Sequence, residues 1–340
     1  MDQLGYGNYV FRAREPEGPF VPVANSFRLS GTSTRDLNWI HKVVHGRDEK
    51  LVTSWFTPDW DRETEHGLMA RGVKLWVLPL KKLAVNPSGE LFLAYWPGNE
   101  AMKGKEIGGF ASSVEPVFTG GSEDTGYFRA EFECLEDGVA MECGRNGMMA
   151  MAGKCGSGGD LVVEFNLRVE ELRTGLHTHL GAAVFGLLIE SSGQAAPGAS
   201  QSPPADPATR GTMLQLTTHR LTRIGRFLLA GERIAANDEY ADAFHELADW
   251  RFGPFDGRTS FIEEDSFSHR GTASASGVVH AREHRLRLLL RENLFELYID
   301  DVHCQSYALE PGAERTGRIG FFAKNGRARV SGLRAWTMTS

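Results

Sequence analysis

Short apolar or alternating runs recur along the sequence: NYVFRA, KLVTSWF, ELFLAYW, DLVVEFNLRV, RLRLLL, LFELYI and RIGFFA, bounded by Gly, Pro, Asn or Asp. A period of two between turn residues is what a half-buried strand needs, and runs this short do not make the apolar stripe of a helix. The sequence therefore predicts an all-β fold. One segment departs from the pattern. In NDEYADAFHELADW, residues 237 to 250, Tyr240, Phe244 and Leu247 recur at helical spacing, which predicts one short helix between strands.

A chain of 340 residues is long enough for two domains, each with a sizeable core. The segment KGKEIGGFASSVEPVFTGGSEDTG interrupts the apolar pattern, and a new hairpin series follows it, so the division is expected at residues 1–108 and 109–340. SSGQAAPGASQSPPADPATRG, residues 191 to 211, is too rich in Ser, Ala, Gly and Pro to bury a face. A strand-like run enters it and another leaves it, so it is expected to be a flexible loop at the tip of two neighbouring strands.

Several function classes are excluded on composition. The net charge is −7 with Lys and Arg scattered, which does not suit a nucleic-acid partner. No apolar run approaches the roughly 18 residues that span a bilayer, so no membrane association is expected. The N-terminus lacks a basic stretch followed by an apolar core and shows no secretion signal, and localisation is left undetermined. Cys134, Cys143, Cys155 and Cys304 match no zinc or dense disulfide spacing, and are expected to be mostly buried thiols. A bridge between Cys134 and Cys143 across the hairpin FECLEDGVAMEC is the alternative weighed. No cofactor motif is present.

Two passages carry a family resemblance. YVFRAREPEGPFVPV, residues 9 to 23, resembles the blade signature of the five-bladed β-propeller glycosidases of families 32, 43 and 68. Gly18 permits the reversal, Pro19 fixes φ, and Phe20 is expected to pack between blades. GLMARGVKLWVLPLKKLAVNPSGELFLAYWPGNEAMKG, residues 67 to 104, resembles the passage by which family 32 enzymes leave the last blade, with Arg71, Leu78, Pro79, Gly89 and Leu91 at the matching positions. The closing stretch, RLRLLLRENLFELYIDD and then GRIGFFAKNGRARVSGLRAW, resembles the last strands of concanavalin A-like sandwiches. Alternation places Phe295, Leu297 and Ile299 on one face, and Ile319 with Phe321 on one face of the later strand.

The resemblance implies partial β-propeller blades followed by a concanavalin A-like (jelly-roll) antiparallel β-sandwich, with a carbohydrate as partner. It also implies a departure. The propeller's carboxylate motifs WMNDPNG and RDP do not occur, so no catalytic residue is assigned, although such hydrolysis needs two carboxyl groups on a rigid frame. The expected function is the C-terminal portion of a family 32-like hydrolase whose catalytic blades are not in this chain. The alternative is a non-catalytic carbohydrate-binding or structural module. An open propeller edge would also expose strand edges and apolar faces for association, and would make residues 1 to 104 the less stable half.

Other motifs carry weaker site signals. Glu142 in MECG, and Glu131 with Glu133 in EFECLE, are read as ordinary strand glutamates. His177 and His179 in HTH lack a third ligand, and DDVH, residues 300 to 303, reads as a polar turn, so no metal is assigned. Trp39 and His41 in DLNWIHKVVH are the candidate substrate contacts, because strand alternation places an aromatic face and an imidazole side by side.

Overall fold

The structure is a computed structural model that describes residues 7–22, 28–31, 37–46, 49–57, 76–85, 91–121, 130–172, 184–192, 209–216, 222–229, 281–292, 294–308 and 314–339. The first strands are β1 (Gly7–Tyr9), β2 (Phe11–Arg12), β3 (Val21–Pro22), β4 (Arg28–Gly31), β5 (Leu37–His45), β6 (Lys50–Thr57), β7 (Trp76–Val77), β8 (Lys81–Val85) and β9 (Leu91–Tyr95). Then follow β10 (Lys103–Glu106), β11 (Glu115–Gly121), β12 (Ala130–Leu135), β13 (Gly138–Lys154), β14 (Leu161–Leu172), β15 (Val184–Ser192), β16 (Thr209–Leu216) and β17 (Thr222–Leu229). The last are β18 (Glu283–Arg291), β19 (Leu294–Ile299), β20 (Val302–Ala308) and β21 (Glu314–Met338). Every pairing is antiparallel, as the sequence predicts. Among the described residues, the only helical pieces are two short 3-10 turns, and no helix is long and apolar enough to cross a membrane.

A β-sandwich forms the centre. Alternate residues of β14 (Leu161, Val163, Phe165, Leu167, Val169), β18 (Leu286, Leu288, Leu290) and β19 (Phe295, Leu297, Ile299) meet those of β13, β15 and β21 in one apolar cluster. The expected inward faces of β19 and of Ile319 with Phe321 are in that core. Burying one such side chain stabilises by about 1.5–3 kcal/mol, so this cluster is the main source of the fold's stability.

β21 organises both layers. On one side it pairs with β13 as far as Val330 and then with β10, and on the other β15 gives way to β14. The change of neighbour falls at Asn325 and Gly326. Asn325 is buried with φ of 54°, a conformation Asn tolerates better than most residues, and a side chain at position 326 would strike the Glu171 carbonyl.

The ladder does not stop at the sandwich. β19 pairs with β20, Val302 of β20 stands opposite Ala94 of β9, and β9 continues through β8 and β6 to β5. β10, which precedes the expected division at 108/109, also pairs with β21.

Phe20 does not pack between elements: it is 62% exposed, beside exposed Phe11 and Val21. Gly18 does take the reversing conformation, with φ of 94°. Cys134 and Cys143 are free thiols, because the tight turn at Glu136–Asp137 sets Cys134 opposite Val139 and Cys143 opposite Ala130. β15 and β16 pair with Ser191 opposite Arg210, so 191–211 joins neighbouring strands as expected, with its ends in the strands. Residues 193–208 and the helix expected at 237–250 lie outside the described residues.

Candidate functional site

The strand β19 is buried on both faces. Its inner residues fill the sandwich, while Leu294, Glu296 and Tyr298 face outward yet are also covered. The cover comes from residues 76–85 and 91–104: Trp76 and Leu78 pack on Leu294, and Tyr95 packs with Val162, Leu289, Tyr298 and Trp336. A carboxylate inside this seam needs a partner, because an isolated buried charge is far too costly.

Lys81 of β8 supplies it. Its ammonium is fully buried and donates to Glu296 Oε1 at 2.6 Å, to Ser54 Oγ at 3.3 Å and to the Pro79 carbonyl at 3.3 Å. Three donors thus meet three acceptors. Glu296 in turn accepts from Ser306 Oγ and from the Tyr298 hydroxyl, both at 2.8 Å, and His303 Nε2 lies 2.8 Å from Ser306 Oγ. Burial pushes the Lys81 pKa down, and the attraction of Glu296 only partly opposes it. Burial also pushes the Tyr298 hydroxyl well up, with the neighbouring Glu296 charge adding to the effect.

A second ionic cluster lies along the same seam. Arg287 Nε donates to Glu164 Oε1 at 2.6 Å, while its two terminal nitrogens reach Asp301 at 2.7 Å and Glu100 at 3.1 Å. Lys103 lies 2.8 Å from Glu164 and 4.2 Å over the Trp336 ring. Burial alone would raise Glu164, but hydrogen bonds and charge from Lys103 and Arg287 outweigh it and hold the carboxyl at about 2.

The Asp300–Asp301 turn fixes the far end of β19. Both residues have positive φ, 51° and 62°, as a two-residue hairpin loop of this twist demands. Asp300 accepts from His284 Nδ1 at 2.8 Å and from the Arg285 amide at 3.0 Å, and the Asp301 carbonyl accepts from the Tyr95 amide at 2.7 Å. The DDVH stretch is thus a polar turn that grips β9. Among the described residues, no group of three His, Cys, Asp or Glu side chains is placed to hold a metal ion.

The candidates from the sequence stand apart from this seam. Trp39 lies in β5 opposite Trp55, and the register breaks between Ile40 and Lys42, leaving His41 without a cross-strand partner. Strict alternation between 39 and 41, the basis of the expectation, is therefore interrupted in the backbone. Glu131 and Glu133 are exposed on β12, and Glu142 lies opposite Glu131 on one side and Arg327 on the other. His177 and His179 lie outside the described residues.

Lys81, Glu296 and Arg287 were not singled out by motif. Their signal is a lone Glu in LFELYI, a run otherwise suited to burial at every position, and a Lys pair directly after LPL.

No protein-family model matches the chain, and no curated protein matches it. Solved structures similar to it include a carbohydrate binding module, CBM66, of Bacillus subtilis, at 11% identity over 66% of this chain and 95% of that one, with a TM-score of 0.34. A Bacillus subtilis protein of unknown function with a galectin-like fold shares 9% identity over 70% and 98%, with a TM-score of 0.38. A sucrose-6-phosphate hydrolase of Lactobacillus gasseri shares 10% identity, covering 94% of this chain but 45% of the hydrolase, with a TM-score of 0.42. The chain thus spans less than half the length of that hydrolase.

Proposed function

We propose that this chain is the C-terminal portion of a glycoside hydrolase of the family 32 type, whose sandwich braces propeller strands that contact a carbohydrate through Trp39 and His41. The observation that carries the reading is the seating of the passage resembling a propeller exit. Leu78 is buried against Leu294, and Lys81, two residues past Pro79, is ion-paired to Glu296 at 2.6 Å. A strand passage held so closely to the sandwich is a rigid base for whatever strands precede it. Residues 1–108 form the blade part in this reading and 109–340 the sandwich, and the exposed Phe11, Phe20 and Val21 mark the edge open to association. The carboxylate motifs of the family do not occur in these 340 residues, so no catalytic residue is assigned to this portion.

Calorimetric titration with fructan, arabinan and xylan oligosaccharides, paired with a reducing-end assay, tests this. Saturable binding to one class, loss of that binding in Trp39→Ala, and no new reducing ends are expected. Flat titrations with every glycan would overturn the sugar contact, and released reducing ends would show that catalytic carboxylates lie within this portion.

A further inference from the structure

Ser54 ties the β5–β6 hairpin to Lys81, the side chain of the first half that is ion-paired to Glu296 of the sandwich. Its carbonyl accepts from the Leu78 amide at 3.0 Å, its hydroxyl accepts from Lys81, and across the ladder it stands opposite Ile40, the neighbour of both Trp39 and His41. Lys81 itself pairs by backbone with Val52 of the same strand. The ammonium therefore takes acceptors from three separate places: β6, the Leu78–Leu80 connection and β19.

An ion pair is not the strongest way to fill this space. Taking both charges out of water offsets most of their attraction, and an apolar pair of similar volume often holds two surfaces together as well. What apolar packing lacks is direction. It tolerates small slides of one sheet over the other, whereas one ammonium between a carboxylate, a hydroxyl and a carbonyl fixes the position of each. Glu296 cannot move to follow Lys81, since Tyr298 and Ser306 hold its two oxygens.

We infer that Lys81 and Glu296 form a positioning pin through which the sandwich sets the place of the β5–β6 hairpin that carries Trp39 and His41. This rests on the proposed function only for the use of that hairpin, because the pin itself is a statement about the chain alone. Lys81 is a positioning residue in this account: it acts on β5 through Ser54 and touches no ligand.

Hydrogen exchange with mass spectrometry on the full chain tests the pin. In the double variant Lys81→Met/Glu296→Gln, no charge is stranded and the Tyr298 and Ser306 bonds keep an amide partner. Protection of amides in residues 37–57 should fall about tenfold while β14 and β18 keep theirs, since local opening can be freed without global unfolding. Ser54→Ala removes only the hydroxyl acceptor and should loosen the same segment severalfold, which keeps the test open if the double variant fails to fold. Unchanged protection of 37–57 in a folded variant would overturn the pin. Loosening of 37–57 in a chain that binds no glycan would leave the pin standing and remove the sugar reading.

Discussion

The Arg287 guanidinium lies 3.5 Å from the centre of the Tyr95 ring, so β18 of the sandwich reaches the strand β9 laid over it. The same side chain, 3% exposed, also holds Glu164, Asp301 and Glu100. Removing it should therefore cost more than one contact. Arg287→Ala is expected to lower unfolding stability by about 2–3 kcal/mol, because it removes a buried side chain that holds three carboxylates at once and leaves Glu164 to Lys103 and Arg285. Arg287→Lys keeps charge but loses the fork and the stacking, and should cost about 1–2 kcal/mol. Guanidinium melts of the three proteins check both; equal stability of the Ala variant and the parent would show the cluster to be inert.

Glu164 makes the fold sensitive to acid. Its carboxyl is held at about 2 in the folded chain against an ordinary value of 4.5, so the folded state prefers the ionised form. Such a group adds stability that is fully present above the ordinary value and is lost as pH falls from 4.5 toward 2. The size is up to about 3 kcal/mol at neutral pH. Urea midpoints measured from pH 7 to pH 2 should fall across that window, and Glu164→Gln should flatten the fall. A variant whose profile runs parallel to the parent's would contradict the assignment.

Gly158 has φ of 86°, and a side chain there would meet the Arg315 carbonyl near the start of β21. Gly158→Ala meets both obstacles at once and should destabilise by roughly 3 kcal/mol. Gly159, whose added carbon meets open space, is the control. Its alanine variant should melt within a degree or two of the parent, as surface changes of about 0.5 kcal/mol do.

The cysteines should react in a fixed order. Cys134 is exposed, while Cys143 and Cys155 are buried, and burial pushes the Cys155 thiol well up, away from the reactive thiolate. Brief treatment of native protein with iodoacetamide, read by peptide mass spectrometry, should label Cys134 and spare Cys143 and Cys155. Recovery of a Cys134–Cys143 bridged peptide would refute the hairpin register.

Trypsin should respect the seam. Arg12 and Arg14 lie exposed in the first hairpin and are expected to be cut early, whereas Lys81 is buried and Lys103 is engaged with Glu164. A persistent fragment should then keep residues 76–104 together with the sandwich. This narrows the sequence expectation, in which all of residues 1 to 104 is the weaker half. Early loss of 76–104 would mean that the seam opens in solution.

The sequence makes the strands and their inner faces legible because a period of two is a local property. Phe295, Leu297 and Ile299 can be read as core from six neighbouring residues. The outer face of the same strand cannot, because what covers it lies far away: Lys81 and Glu296 are 215 residues apart. A Glu at the centre of LFELYI reads as an outward, solvated position until a third layer is laid over it. Register is equally hard to read. The bulge between Ile40 and Lys42 and the two-residue turn before Gly138 each set which residues stand opposite one another, and neither leaves a strong compositional mark; the turn is what puts Cys134 opposite Val139 and not Cys143.

β21 has a consequence for how the protein is made. Its partners β10, β13, β14 and β15 are all translated well before it, and the Lys105–Thr337 contact closes a span of 232 residues. Neither layer of the sandwich can close until this strand has left the ribosome. Domains dominated by such long-range pairing fold on timescales of about milliseconds to seconds. Throughout synthesis the nascent chain therefore carries unsatisfied strand edges and uncovered Leu, Val and Phe, the state in which β-proteins aggregate or recruit chaperones. A codon or truncation defect within this 25-residue strand would act on the yield of the whole molecule.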